Sequence, residues 1–223
     1  MKRTIGAMVL LFATAVSASA QMGMDFFRRP QIAKVFHPVV GKGAQYETVS
    51  QRGGDSTTRS MEIAVVGKES AAGKDGYWMQ FAGADDKKQL MLGKTLITVD
   101  DFQFHRVIVQ LPGQGAMEMP STMFADNHNK IGDQMSQWHS VGSETITVPA
   151  GTFSCEHWKN DKDNAEMWTS DKVTPFGMVK EVRSNGTTVL VKTLDDVPDR
   201  ITGPVKQFDM QQMMQQRRQQ QPQ

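Results

Sequence analysis

The sequence predicts a mainly β fold of the α+β class, built from antiparallel strands. Three observations predict it. From Gly43 onward, short apolar runs alternate with Gly, Asn, Asp and Pro at the intervals usual for antiparallel structure. Two segments, Val148-Pro149-Ala150-Gly151-Thr152 and Ser184-Asn185-Gly186-Thr187, carry hairpin-turn chemistry. Several of the runs also alternate with a period of two, as a strand requires.

The chain opens with MKRTIGAMVLLFATAVSASA, a basic start at Lys2 and Arg3, an apolar run from Ile5 to Val16 and small residues at Ala18, Ser19 and Ala20. This is the layout of a secretory signal peptide, residues 1–20, cleaved after Ala20, and the apolar run is short for a membrane span. A periplasmic or secreted mature chain with no transmembrane segment is expected. Loss of Lys2 and Arg3 leaves 23 of the 25 basic side chains against 24 acidic ones, a formal charge of −1. Such balance supplies no field for nucleic acid or an anionic membrane. One cysteine cannot form an internal disulfide, so a sizeable core must hold the fold.

Residues 21–43 form an N-terminal arm with Phe26, Phe27 and Phe36 interrupted by Pro30 and Pro38. A sheet domain follows over 44–200, with strands expected near 44–50, 58–67, 76–82, 88–92, 103–111, 143–148, 152–159, 164–170, 177–184 and 187–194. In the first hairpin Pro149, Ala150 and Gly151 read as a three-residue loop whose glycine takes the left-handed position. The register adopted for it sets Glu144 near Glu156, an unfavourable like-charge pair. In the second, Asn185-Gly186 favours two positive φ angles, with Val182 opposite Val189 and Lys180 opposite Val191.

Alternation places Met61, Ile63 and Val65 on one side of their strand and His105, Val107, Val109 and Leu111 on one side of theirs. Tyr77, Met79 and Phe81 share a face, and Trp78 takes the other. Large apolar groups on both faces call for a cover on the second: a helix, another sheet or a bound apolar ligand. The segment 120–138 breaks the β rhythm, and Ile131, Met135 and Trp138 fit one helical face, so a loop and short helix are expected there. Residues 201–223 are rich in Gln and Met; a helix from Lys206 or a disordered tail is expected.

No catalytic constellation can be assembled. On a strand from Thr152 to Trp158, Cys155 and His157 share a face but stand about 7 Å apart along it, too far for a direct thiol–imidazole bond. The flanking charges, Glu144 and Glu156, also disfavour a thiolate, so a packed, inert cysteine is expected. His37, His105, His128, His139 and His157 are scattered, and DKDNAE at 161–166 lacks the glycine and glutamate of a calcium loop and reads as a hairpin turn. The Met22-Gly23-Met24 and Met117-Glu118-Met119 pairs are soft enough for Cu(I), but the 16 methionines fit an apolar lining better. The expectation is a non-enzyme without metal or cofactor.

The stretch TITVPAGTFSCEHW, followed by EMWTSDKVTPFGMVKEVRSNGTTVLVKTL, resembles exported bacterial families of unknown function whose sheets are similar to the outer-membrane lipoprotein carrier and its receptor (LolA/LolB-like). RVIVQLPGQGAMEMP, 106–120, shares the resemblance, which spans about 44–194. It implies a strongly curved antiparallel sheet or unclosed β-barrel, with one or two helices covering the concave face and room for an acyl chain. The expected function is therefore an exported binding or carrier protein holding a lipid-like or lipoprotein ligand. The expected apolar lining is Trp78, Met79, Phe81, Leu90, Val107, Val109, Met117, Met119, Met123, Phe153 and Trp168. Two alternatives stand beside it: an envelope accessory protein that binds a protein partner through its C-terminal tail, and a Met-rich copper-handling protein.

Overall fold

The computed structural model describes residues 36–52, 54–84, 90–99, 101, 103–110, 115–120 and 138–208. The expected signal peptide, most of the N-terminal arm, residues 121–137 of the expected helical insertion and the tail beyond 208 lie outside them. Within the described residues, twelve strands form one curved sheet that does not close into a barrel. They are β1 (Gly43–Arg52), β2 (Asp55–Ala71), β3 (Lys74–Ala84), β4 (Leu90–Thr98), β5 (Phe104–Gln110) and β6 (Ala116–Met119), then β7 (Trp138–Val148), β8 (Gly151–Asn160), β9 (Ala165–Thr169), β10 (Met178–Arg183), β11 (Gly186–Leu194) and β12 (Val205–Gln207). The order across the sheet is β12-β6-β5-β4-β3-β2-β1-β11-β10-β9-β8-β7, antiparallel except for the parallel β12–β6 pair. Among the described residues there is no helix, and none is long and apolar enough to cross a membrane.

Tight turns set the meander. At the β2–β3 hairpin Ala72 and Gly73 both take positive φ, 51° and 77°, the pair of angles that matches the right-handed twist of the strands. At the β7–β8 hairpin Val148 pairs with Gly151, whose φ of 132° needs glycine, and only Pro149 and Ala150 stand outside the ladder. The register therefore differs from the expected one: Glu144 lies opposite Cys155, and Glu156 opposite Ser143. Glu144 and Glu156 fall on opposite faces, which removes the like-charge pair. The β10–β11 hairpin is also displaced, with Arg183 opposite Gly186 and Lys180 opposite Val189. Ser184 and Asn185 make its turn, and Gly186 is not at positive φ. Glycine is needed there for another reason: a Cβ would lie 2.5 Å from the Val49 carbonyl oxygen of the adjacent β1.

Four further departures have physical causes. β4 runs from Leu90 to Thr98 rather than 88–92, because Gly93 and Lys94 continue the ladder, paired with Phe81 and Gln80 of β3 and with Val109 and Ile108 of β5. β6 and β12 have four and three residues, too short for periodicity to reveal. Lys206, the expected start of a C-terminal helix, instead pairs with Met117 across the β12–β6 ladder. Among the described residues, the cover over the second face is the chain itself, because the link from β11 to β12 crosses that face. Gln80 bonds the Pro198 carbonyl and the Arg200 amide, and Lys94 bonds Asp199 (2.5 Å) and the Ile201 carbonyl (3.0 Å). Ile201, 3% exposed, is buried with Trp78, Leu96, Ile108 and Ala116.

The main core lies on the opposite face, where Tyr46, Ile63, Val65, Met79, Ile97, Met167, Met178 and Leu190 are fully buried. Tyr46 donates its hydroxyl to the Met178 carbonyl at 3.0 Å. The loop between β9 and β10 folds over this core with Val173 and Phe176, and Phe36 stacks on Phe176 at 5.1 Å. At the far end the sheet bends enough that the Ala150 amide reaches the Leu190 carbonyl, although β7 and β11 are four places apart in the strand order.

Candidate functional site

The cross-strand pairs of β3 to β6 build two adjacent apolar rows on the core-bearing face. Met79, Thr95, Val107 and Met119 stand opposite one another in successive strands. Two residues along, Phe81, Gly93, Val109 and Met117 do the same. Met79 is fully buried, whereas Phe81, Val107, Val109, Met117 and Met119 are half-buried. A Cβ built on Gly93 meets nothing nearer than 3.4 Å, so the glycine leaves a notch between Phe81 and Val109. Within the two rows and the adjoining Met61, Ile63 and Val65 of β2 there is no charged side chain. Arg59 and the Lys68–Asp75 ion pair share this face toward the ends of β2 and β3.

Met79, Phe81, Val107, Val109, Met117 and Met119 come together on one surface. Trp78 lies on the reverse face, beneath the strap of residues 195–204, with Lys94 and Arg106 at 5.1 and 5.2 Å from its ring centroid and its indole N–H on Glu69. Phe153 and Trp168 belong to β8 and β9, at the other end of the sheet, where Trp168 is part of the main core cluster and Phe153 packs against it, away from the two rows. Leu90 takes part in β4 through its backbone; Met123 lies outside the described residues. Alternation showed that Trp78 opposes Met79, and pairing shows which strands stand together, information that no single strand contains.

A polar cluster occupies the β7–β9 end. His157 stacks on Trp168 (centroids 4.4 Å, interplanar angle 14°) and faces Glu144 Oε1 at 3.0 Å and Glu166 Oε2 at 2.8 Å. Trp168 Nε1 donates to Glu144 Oε1, Lys180 lies 4.9 Å from the Trp168 ring, and Lys159 pairs with Glu166. Burial raises the Glu166 carboxyl, but hydrogen bonds from Lys159 and His157 outweigh it, and the net direction is down. Cys155 is buried beside this cluster; burial first, and the Glu144 charge second, push its thiol up to about 11. Among the described residues no three His, Cys, Asp or Glu side chains form a group able to hold a metal. The cluster ties four strands, β7 to β10, together through charge, stacking and hydrogen bonds; the neighbouring thiol is held in the protonated form, which is a poor nucleophile.

No protein-family model and no curated protein matches the chain. Among solved structures it is similar to a protein of YmcC-like fold from Bacteroides fragilis, with 12% identity, a TM-score of 0.36 and coverage of 71% of this chain and 97% of that one. It is also similar to a DUF1329 family protein from Desulfovibrio piger (14% identity, TM-score 0.34, 80% and 94% covered). A third is a LolA superfamily protein from Nitrosomonas europaea (10% identity, TM-score 0.29, 78% and 94% covered). At these values the likenesses carry no statement about activity or ligand.

Proposed function

We propose that this chain is an exported, non-enzymatic binding or carrier protein that holds a neutral apolar ligand, lipid-like or the acyl part of a lipoprotein, against the two rows on β3 to β6. One observation carries the reading. The β8–β11 end of the core face is packed by the chain's own Val173, Phe176 and Phe36, whereas Phe81, Val109 and Met117 surround a notch at Gly93 and remain half-buried. Apolar surface in such a position gains free energy from a guest at roughly 25 cal/mol per Å² covered. Methionine suits the task, since its unbranched thioether adapts to hydrocarbon of varied shape. A carrier also needs no reactive group, in keeping with a thiol held protonated.

Protein purified from its own envelope fraction and examined by native mass spectrometry should carry bound lipid or acyl mass that organic extraction removes. The extracted protein should then take up a fluorescent acyl probe. A ligand-free preparation that also refuses the probe would end the carrier reading.

A further inference from the structure

Thr95 stands in the middle of the row Met79, Thr95, Val107, Met119 and is 5% exposed. Its Oγ1 is buried and has no hydrogen-bond partner among the described residues. Ser170 Oγ, just beyond β9, is the one other buried side-chain oxygen without a partner among the described residues, whereas several polar side chains of the sheet itself are partnered. Thr48 meets Thr188 at 2.9 Å, Thr169 accepts from Trp158 at 3.0 Å, Gln80 bonds the strap, and Asn160 holds Asp163. Thr95 has no such option, because its cross-strand neighbours are the side chains of Met79 and Val107, neither a useful donor or acceptor. Valine would fill the same space without leaving a hydroxyl unsatisfied. A lone hydroxyl within two rows otherwise free of polar side chains is the pattern of a binding site in which one placed group fixes orientation.

We infer that Thr95 is the polar anchor of this face, its hydroxyl donating to the carbonyl oxygen of an ester or amide whose hydrocarbon runs along β4 into the notch at Gly93, between Phe81 and Val109. The inference rests on the apolar-ligand reading and narrows it. Residues 93 and 95 lie about 6.6 Å apart along a strand, so a carbonyl at Thr95 brings the first few methylenes of an acyl chain to the notch. The rows hold no cation to neutralise a free carboxylate, so the face selects the neutral ester or amide over the acid.

The test is calorimetric titration of the full, solvent-extracted chain with three probes of one length: methyl laurate, dodecane and laurate. The wild type should bind methyl laurate about ten-fold more tightly than dodecane, and more tightly than laurate. Thr95→Val should bring ester affinity down to that of the alkane and leave the alkane unchanged, while Thr95→Ser restores the preference. Thr95→Val should fold with a thermal midpoint no lower than wild type, because it removes the unsatisfied hydroxyl. An ester-to-alkane ratio unmoved by Thr95→Val would overturn the anchor, as would equal binding of laurate and its ester. If the wild type binds none of the three, the apolar-ligand reading itself falls, and the two failures are thereby distinguished.

Discussion

Glu144 on β7 reaches across β8 to Trp168 on β9, accepting the indole N–H at 2.5 Å, and the same carboxylate oxygen lies 3.0 Å from His157 Nδ1. One acidic side chain therefore links the edge strand to two neighbours. Trp168 is 8% exposed, so removing its acceptor leaves a mostly buried donor unsatisfied. Glu144→Ala is expected to cost about 1 kcal/mol after solvent screening of a half-exposed carboxylate, with Glu144→Gln losing less because an acceptor remains. Urea unfolding followed by tryptophan fluorescence measures both. Midpoints unchanged in the two variants would show that the contact is stability-neutral.

The same carboxylate bears on Cys155. With the thiol held near 11 by burial and by Glu144, the thiolate is about 0.1% of the population at pH 8. Iodoacetamide should therefore modify the native chain at least about 100-fold more slowly than the urea-unfolded chain, as counted by mass spectrometry. Comparable rates in the two states would mean an accessible thiol and would reopen a role in chemistry.

Asp101, in the turn between β4 and β5, gives a pH dependence of definite sign. Burial pushes its carboxyl up, but hydrogen bonds from Lys74 (2.7 Å), Thr98 and the Gln103 amide, with the Lys74 charge, outweigh it and bring it from 3.8 down to about 2. A carboxyl depressed on folding contributes stability above its unfolded value, and that contribution disappears as pH falls through the folded one. Between pH 4 and pH 2 the wild type should lose about 1 kcal/mol that Asp101→Asn has already lost at pH 7. Urea midpoints at pH 7, 4 and 2 should make the two proteins converge in acid. Parallel curves would reject the assignment.

Much of the sheet was legible in the sequence because its signals are local. Gly151 announced the β7–β8 turn and took positive φ there, and alternation separated Trp78 from Met79 and Phe81. What was hidden depended on distant partners. Gly186 reads as a turn glycine but is required by β1, some 137 residues earlier in the chain, whose Val49 carbonyl would collide with a Cβ. Ile201 reads as part of a tail but is buried against Trp78 and Ile108. The candidate site divides the same way. Its side chains could be named one by one, whereas the rows that join Phe81, Gly93, Val109 and Met117 come from register, which bulges at Val65/Gly67 and Leu96/Ile97 reset. Thr95 carried no signal at all, since a threonine in a strand is unremarkable until its neighbours are known.

The strap makes a stability prediction of its own. Ile201→Ala removes a side chain packed on Trp78, Leu96 and Ile108, and should cost about 2 to 3 kcal/mol. Lys94→Met should cost less: its ammonium holds Asp199 and the Ile201 carbonyl, but methionine preserves apolar cover over the same ring. Denaturant midpoints decide between these, and a near-neutral Ile201→Ala would mean that the strap merely rests on the sheet.

Gly93 separates ligand binding from folding. Glycine inside a strand is unfavourable, and here neither a positive φ nor a close approach requires it, since the nearest atoms to a built Cβ are the Ile108 carbonyl oxygen at 3.4 Å and Val109 Cγ1 at 3.8 Å. Gly93→Leu should therefore fold with stability equal to wild type or up to about 1 kcal/mol greater. Its side chain would stand between Phe81 and Val109 and fill the notch. Uptake of a fluorescent acyl probe should fall by at least about ten-fold while the thermal midpoint holds or rises. Lowered stability together with lost uptake would make the glycine a packing requirement, and unchanged uptake would place any guest elsewhere on the molecule.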